Sequence, residues 1–181
     1  MRYQWWPQLL LGLRDDRPER NRAMKRRDQI SMTAEEIDAF LGQVKTMTIV
    51  SNGPGGYPHP MPMWFSRTAD GAIRMTTYRT SQKIQNLTRD PKVALLVESG
   101  TEYSKLRGVV FYGDAEILDG VDLVIDTMLR ITGGGQGMPP DPAQADALRA
   151  AMSKQASKRC VIEVKPNRIV SWDHTKLGGA Y

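Results

Sequence analysis

A single cysteine, Cys160, stands in 181 residues, so no intrachain disulfide can form and stability must come from packing alone; a reducing compartment is compatible with this. The only histidines, His59 and His174, are far apart and have no cysteine pairs beside them, so no metal site is expected. For the same reason they are the only candidates for an axial haem ligand. No apolar run reaches the ~20 residues needed to span a bilayer. Residues 5–13 have the length of a signal-peptide apolar region, but Arg14-Asp15-Asp16-Arg17 follows without a small-residue cleavage site. Secretion is therefore not expected, and a cytoplasmic location is. The segment Gly133-Gly134-Gly135-Gln136-Gly137 lacks a following Lys-Ser/Thr and runs into Pro139-Pro140, which excludes a P-loop. No internal repeat and no βαβ alternation is present, so a doubly wound sheet is not supported.

What is present is an ordinary globular composition, with 40% hydrophobic and 25% charged residues. The net charge of +5 favours anionic partners: nucleic acid, anionic lipid or a phosphorylated cofactor. The excess is concentrated in residues 14–27, where Arg14, Arg17, Arg20, Arg22, Lys25, Arg26 and Arg27 face only Asp15, Asp16 and Glu19. That stretch lacks interleaved aromatics and a recognition motif, so a nucleic-acid partner is not expected. Residues 1–23 have no period that would bury a face, whereas Met24 looks like a natural start. Two segments are expected: an N-terminal extension, 1–23, outside the core, and a folded domain, 24–181. The alternative for 1–23 is a membrane-surface or partner anchor built on Trp5 and Trp6.

Within the domain, Thr33-Ala34-Glu35-Glu36 is a capping box, and Ile37, Phe40 and Leu41 follow at helical spacing up to Gly42. Residues 45–50 read as a strand closed by the turn cluster Asn52–Gly56. Residues 58–66 are extended, but Pro58, Pro60 and Pro62 exclude a central strand and predict an edge or irregular segment. Asp70-Gly71 signals a hairpin into a strand over 72–78. A short helix over 81–90, a buried strand over 93–97 and a long strand over 106–118 follow, with Gly108 and Gly113 marking bends or bulges. A helix over 120–132 presents Val121, Val124, Ile125, Met128 and Leu129 on one face. A mobile loop spans 133–140, a helix spans 142–156, and strands over 158–165 and 167–173 close the chain. The alternation around Cys160 marks it as a buried structural thiol rather than a nucleophile. The class is mainly β with flanking helices (α+β), a six- to seven-stranded antiparallel barrel.

The segment most informative about chemistry is Arg74 to Leu87. A strand ends in Thr76 and Thr77, a turn carries Arg79, and a helix opens at Ser81 with Lys83 in its first turn. A lysine there is opposed by the helix dipole unless an anion is near. Free N–H groups, hydroxyls and cations together would hold a phosphate. The plain alternative is that Ser81 caps the helix and Lys83 is solvated.

The order strand, Thr-Thr, Ser-x-Lys, then Asn86-Leu87-x-Arg89-Asp90-Pro91-x-Val93 resembles the cofactor-phosphate segment of the pyridoxamine 5′-phosphate oxidase-like split β-barrels. The closest likeness is to their deazaflavin (coenzyme F-420) subgroup. Arg26–Thr33, Tyr57–Phe65, Leu106–Ile117 and Val170–Tyr181 are similar to that subgroup's opening, second strand, central strand and C-terminus. The resemblance covers residues 24–181. It implies that Thr76, Thr77, Ser81, Gln82 and Lys83 contact the cofactor phosphate and that Asn86 steadies the phosphate loop. It also implies that Pro62, Met63 and Trp64 lie along the tricyclic ring, largely through backbone groups. Trp172 of the partner subunit would lie beside the ring, with plain core packing as the equal alternative. The implied activity is hydride transfer between coenzyme F-420 and a small unsaturated organic substrate, in a homodimer with the cofactor at the interface. FMN in the same groove is the alternative cofactor, and a non-catalytic flavin- or haem-binding protein the alternative class. No catalytic residue is implied. The arginine-rich C-terminal substrate motif of true pyridoxamine phosphate oxidases is missing, which argues against vitamin B6 oxidation.

Overall fold

The computed structural model describes residues 26–133 and 142–178. The extension 1–23 and nearly all of the glycine-rich loop, both singled out above, lie outside the described residues. The elements in chain order are α1 (Arg26–Ile30), α2 (Ala34–Leu41), β1 (Thr46–Asn52), β2 (Pro58–Trp64), β3 (Ser66–Arg67), β4 (Ile73–Tyr78), α3 (Gln82–Arg89), β5 (Lys92–Ser99), β6 (Arg107–Leu118), α4 (Val121–Thr132), α5 (Pro142–Ala156) and β7 (Arg159–Asp173). The seven strands form one antiparallel sheet in the order β2-β1-β5-β6-β7-β4-β3. β2 contacts β4 although four strands separate them in that order, so the sheet curls on itself as a half-barrel. This is the expected split-barrel class.

Alternation of side chains gives the sheet an inner face. Met47 and Ile49 of β1, Ile73 and Met75 of β4, Val93, Leu95 and Val97 of β5, and Cys160, Ile162 and Val164 of β7 are buried there. α2 closes this core with Ile37 and Phe40, and α3 with Ile84 and Leu87. The capping box of α2 forms as the sequence predicts: Glu36 N donates to Thr33 Oγ1 at 3.3 Å and Thr33 N to Glu36 Oε2 at 2.6 Å. A second, smaller cluster joins Val124, Ile125 and Leu129 of α4 to Ala156 and Val161, so α4 covers the outer face of the β4–β7 pair. Val121, expected on that apolar face, is exposed, and Thr127 is buried instead with its hydroxyl donating to Leu123 O at 2.8 Å.

β2 is an edge strand whose ladder partner is β1. Gly53 N donates to Tyr57 O at 2.8 Å, which makes that pair a hydrogen-bonded one. The alternation of an antiparallel ladder then puts Pro58, Pro60 and Pro62 at non-hydrogen-bonded positions, with their missing N–H on the open side. Two expectations need correction. The C-terminal strands are one continuous β7, because Pro166 is absorbed by a bulge rather than a turn: Tyr112 faces Arg168 and Gly113 faces Pro166, leaving Asn167 extra. Gly113 does mark that bulge, and a Cβ on it would sit 2.7 Å from Lys165 O. No bulge against β7 falls at Gly108. This glycine makes room for the Trp172 indole across the ladder, whose Cζ2 would lie 2.4 Å from a Cβ at 108.

Candidate functional site

Thr77, Ser81 and Lys83 meet where β4 gives way to α3. Thr77 faces inward and is buried, and its hydroxyl accepts from Lys83 Nζ at 3.0 Å and donates to Ser81 Oγ at 3.3 Å. Ser81 is the N-cap residue of α3 but makes no side-chain cap bond, leaving first-turn N–H groups uncapped by it. Lys83 is only 7% exposed. Burial pushes its pKa below the ordinary 10.5; Cys160 opposes this, and the Arg159 charge, the smallest of the three influences, adds to the lowering. Among the described residues no carboxylate pairs with Lys83. An ammonium held at a helix N-terminus with neutral partners is suited to an anion with several acceptor oxygens, so the donor set fits a phosphate. Asn86, fully buried, ties the segment to the sheet: Gln82 Nε2 donates to Asn86 Oδ1 at 2.9 Å and Asn86 Nδ2 to Ser51 Oγ at 3.1 Å.

Met63, Trp64 and Thr76 come together elsewhere. They line a cleft of about 230 Å³ with Met128, Ile131 and Thr132 of α4 and with Arg159 of β7. Neighbouring residues of a strand face opposite sides, so Thr76 turns away from Thr77 and toward α4. Thr76 and Thr77 therefore serve the two faces of β4, while Trp64 and Met63, the latter also packed against the inner core, reach the cleft from β2. Pro62 is exposed, on the same face of β2 as Trp64, and does not line the cleft. Trp172 lies at the far end of β7 from Cys160, so within one chain it joins neither group.

Sequence reasoning missed Arg159 and the α4 residues Met128, Ile131 and Thr132 as cleft walls. Arg159 is the ladder partner of Tyr78, and its guanidinium stacks 4.3 Å from the Tyr78 ring centroid. Its Nε is buried without a hydrogen-bond partner. Only the non-local pairing of β4 with β7 brings it there, and no local pattern signals it. Cys160 is fully buried, its thiol 3.8 Å from Thr77 O, and burial pushes its pKa above the ordinary 9.0, as a structural thiol requires. Among the described residues no group of three His, Cys, Asp or Glu side chains could hold a metal. None of the described helices is long and apolar enough to cross a membrane.

A curled seven-stranded antiparallel sheet with helices across its faces places the chain among the split β-barrels. The sequence profile described as pyridoxamine 5′-phosphate oxidase matches residues 33–173, and the chain belongs to that family. A conserved hypothetical protein of Mycobacterium tuberculosis, Rv2991, is 34% identical, with a TM-score of 0.74 over 87% of this chain and 94% of that one. An F-420 reductase superposes with a TM-score of 0.50 at 20% identity, over 73% of this chain and 94% of its own. HutZ, a haem storage protein of Vibrio cholerae, superposes at 0.55 with 14% identity, over 76% of this chain and 94% of its own. The last two likenesses are of fold. No curated protein matches the chain.

Proposed function

We propose that this protein is an oxidoreductase that holds coenzyme F-420 and moves a hydride between it and a small unsaturated organic substrate, with FMN as the alternative cofactor. The observation that carries the reading is the buried Lys83, unpaired with any carboxylate among the described residues, beside Thr77 and Ser81 at a helix start that Ser81 leaves uncapped. Thr77, Ser81, Gln82 and Lys83 would hold the cofactor phosphate, Asn86 would keep α3 in place, and Pro62, Met63, Trp64 and Thr76 would border the ring. When bound, the deazaflavin or flavin ring supplies the redox chemistry; the chain binds it, orients it and excludes water. The family resemblance supports a homodimer with the ring at the interface and Trp172 of the partner subunit beside it. The F-420 reductase among the fold relatives supports the deazaflavin, while HutZ keeps a non-catalytic haem binder as the rival.

The test is an absorbance and fluorescence titration with coenzyme F-420, FMN and haem, alongside sedimentation of the loaded species. The expected result is stoichiometric binding of one of the first two to a dimer. Tight haem binding with neither flavin nor deazaflavin retained would replace this reading with the rival, and a cofactor-loaded monomer would remove the interface.

A further inference from the structure

β4 carries two adjacent threonines that serve different places. Thr77 belongs with Lys83 on the inner face, and Thr76 with Arg159 on the outer one. The outer cleft is walled by Met63, Trp64, Met128 and Ile131, with hydroxyls from Thr76 and Thr132. Thr132 spends its hydroxyl on Met128 O at 3.0 Å and Leu129 O at 3.1 Å, so it has no proton to spare. Arg159 is the one cation of the wall among the described residues. Its guanidinium lies over the Tyr78 ring, its Nε is buried with no acceptor, and among the described residues no carboxylate pairs with it. A guanidinium over a ring, with no carboxylate among the described residues to pair it, at the rim of an apolar space suits a carboxylate, because its planar fork matches the two carboxylate oxygens.

We infer that the α4 and Arg159 side of this cleft binds the organic substrate, against the ring that Met63, Trp64 and Thr76 would border, that this substrate is an apolar molecule carrying a carboxylate, and that Arg159 holds that carboxylate. Calling the ligand a substrate rests on the oxidoreductase reading above; the acid-binding site itself does not. Lys83 serves the phosphate on the other face of the strand, so the two anionic groups are held separately.

Benzoate is the probe, titrated by calorimetry against the full chain without cofactor, with benzyl alcohol as the uncharged control. Wild type should prefer benzoate. Arg159→Ala should lose about ten- to hundredfold in benzoate affinity, the worth of one charge-assisted contact, and leave benzyl alcohol unchanged. Arg159→Lys keeps the charge without the fork and should fall between the two. It also keeps the test readable if the alanine variant folds poorly. Lys83→Met should bind benzoate as wild type does. Affinity for whichever of FMN or coenzyme F-420 the wild type retains should stay within about twofold in Arg159→Ala, since the phosphate contact worth about tenfold or more lies elsewhere. Equal benzoate affinity in wild type and Arg159→Ala, or loss only in Lys83→Met, overturns the assignment. A parallel loss of cofactor in Arg159→Ala gives the arginine to the cofactor and overturns it as well. If neither cofactor binds wild type, the oxidoreductase reading fails while the benzoate comparison still decides the acid site.

Discussion

Replacing Lys83 by methionine separates what the buried ammonium does for folding from what it does for binding. The side chain is 7% exposed, and its Nζ has Thr77 Oγ1, at 3.0 Å, as its neutral partner. Methionine keeps most of the buried volume, and Thr77 still donates to Ser81 Oγ, so no donor is orphaned. Swapping a buried charge for an apolar side chain of similar size is often neutral or stabilising. The variant without cofactor should therefore melt at the wild-type temperature or above it. Because the folded pKa lies below 10.5, the folded state binds fewer protons than the unfolded chain between those two values. Wild-type stability should then rise as pH climbs through that window toward 10.5, and the variant should lack this gain. Binding should move the other way. One charge-assisted contact to a phosphate is worth about 1.5–3 kcal/mol, so FMN or coenzyme F-420 should bind about ten- to hundredfold more weakly. Riboflavin, which has no phosphate, should not distinguish the two proteins. Calorimetry across pH and fluorescence titration read both halves. A variant that binds intact cofactor as tightly as wild type, or that melts well below it, refutes the phosphate assignment.

Gly108→Ala should destabilise by about 1–3 kcal/mol, since the indole it would meet is rigid and pinned across the ladder; thermal melts and the Trp172 emission report it. Cys160 should resist iodoacetamide in the native protein and react fully only on unfolding, which timed mass spectrometry measures; prompt native labelling would contradict its burial. A chain beginning at Met24 should melt and bind cofactor as the full chain does, and loss of solubility on truncation would show that residues 1–23 have a structural role.

The meeting of Thr77, Ser81 and Lys83 was legible because it is local. Thr77, Ser81 and Lys83 fall within one strand–turn–helix segment, where dipole and capping rules apply directly. The helix box at Thr33 and the edge position of β2 were legible for the same reason, each decided by a few neighbouring residues. What the sequence hid depends on pairing across the fold. Pro166 reads as a break, and only the register against Gly113 shows that a bulge absorbs it. Gly108 reads as a bend until Trp172 is placed opposite it. Thr76 and Thr77 read as one phosphate-contacting pair, yet strand alternation sends them to opposite faces once α3 and α4 take their sides. Arg159 gains its place entirely from its register opposite Tyr78.

The prolines of β2 also limit how the molecule can meet others of its kind. An exposed sheet edge ordinarily invites a foreign strand to continue the ladder. Along the open side of β2 the donors that Pro58, Pro60 and Pro62 would supply do not exist, so an incoming strand would find acceptors with no matching N–H. Fibril-like, edge-to-edge growth is closed on this flank, and any association there must be made by side chains meeting face to face, around Trp64 and the proline rings, rather than by backbone.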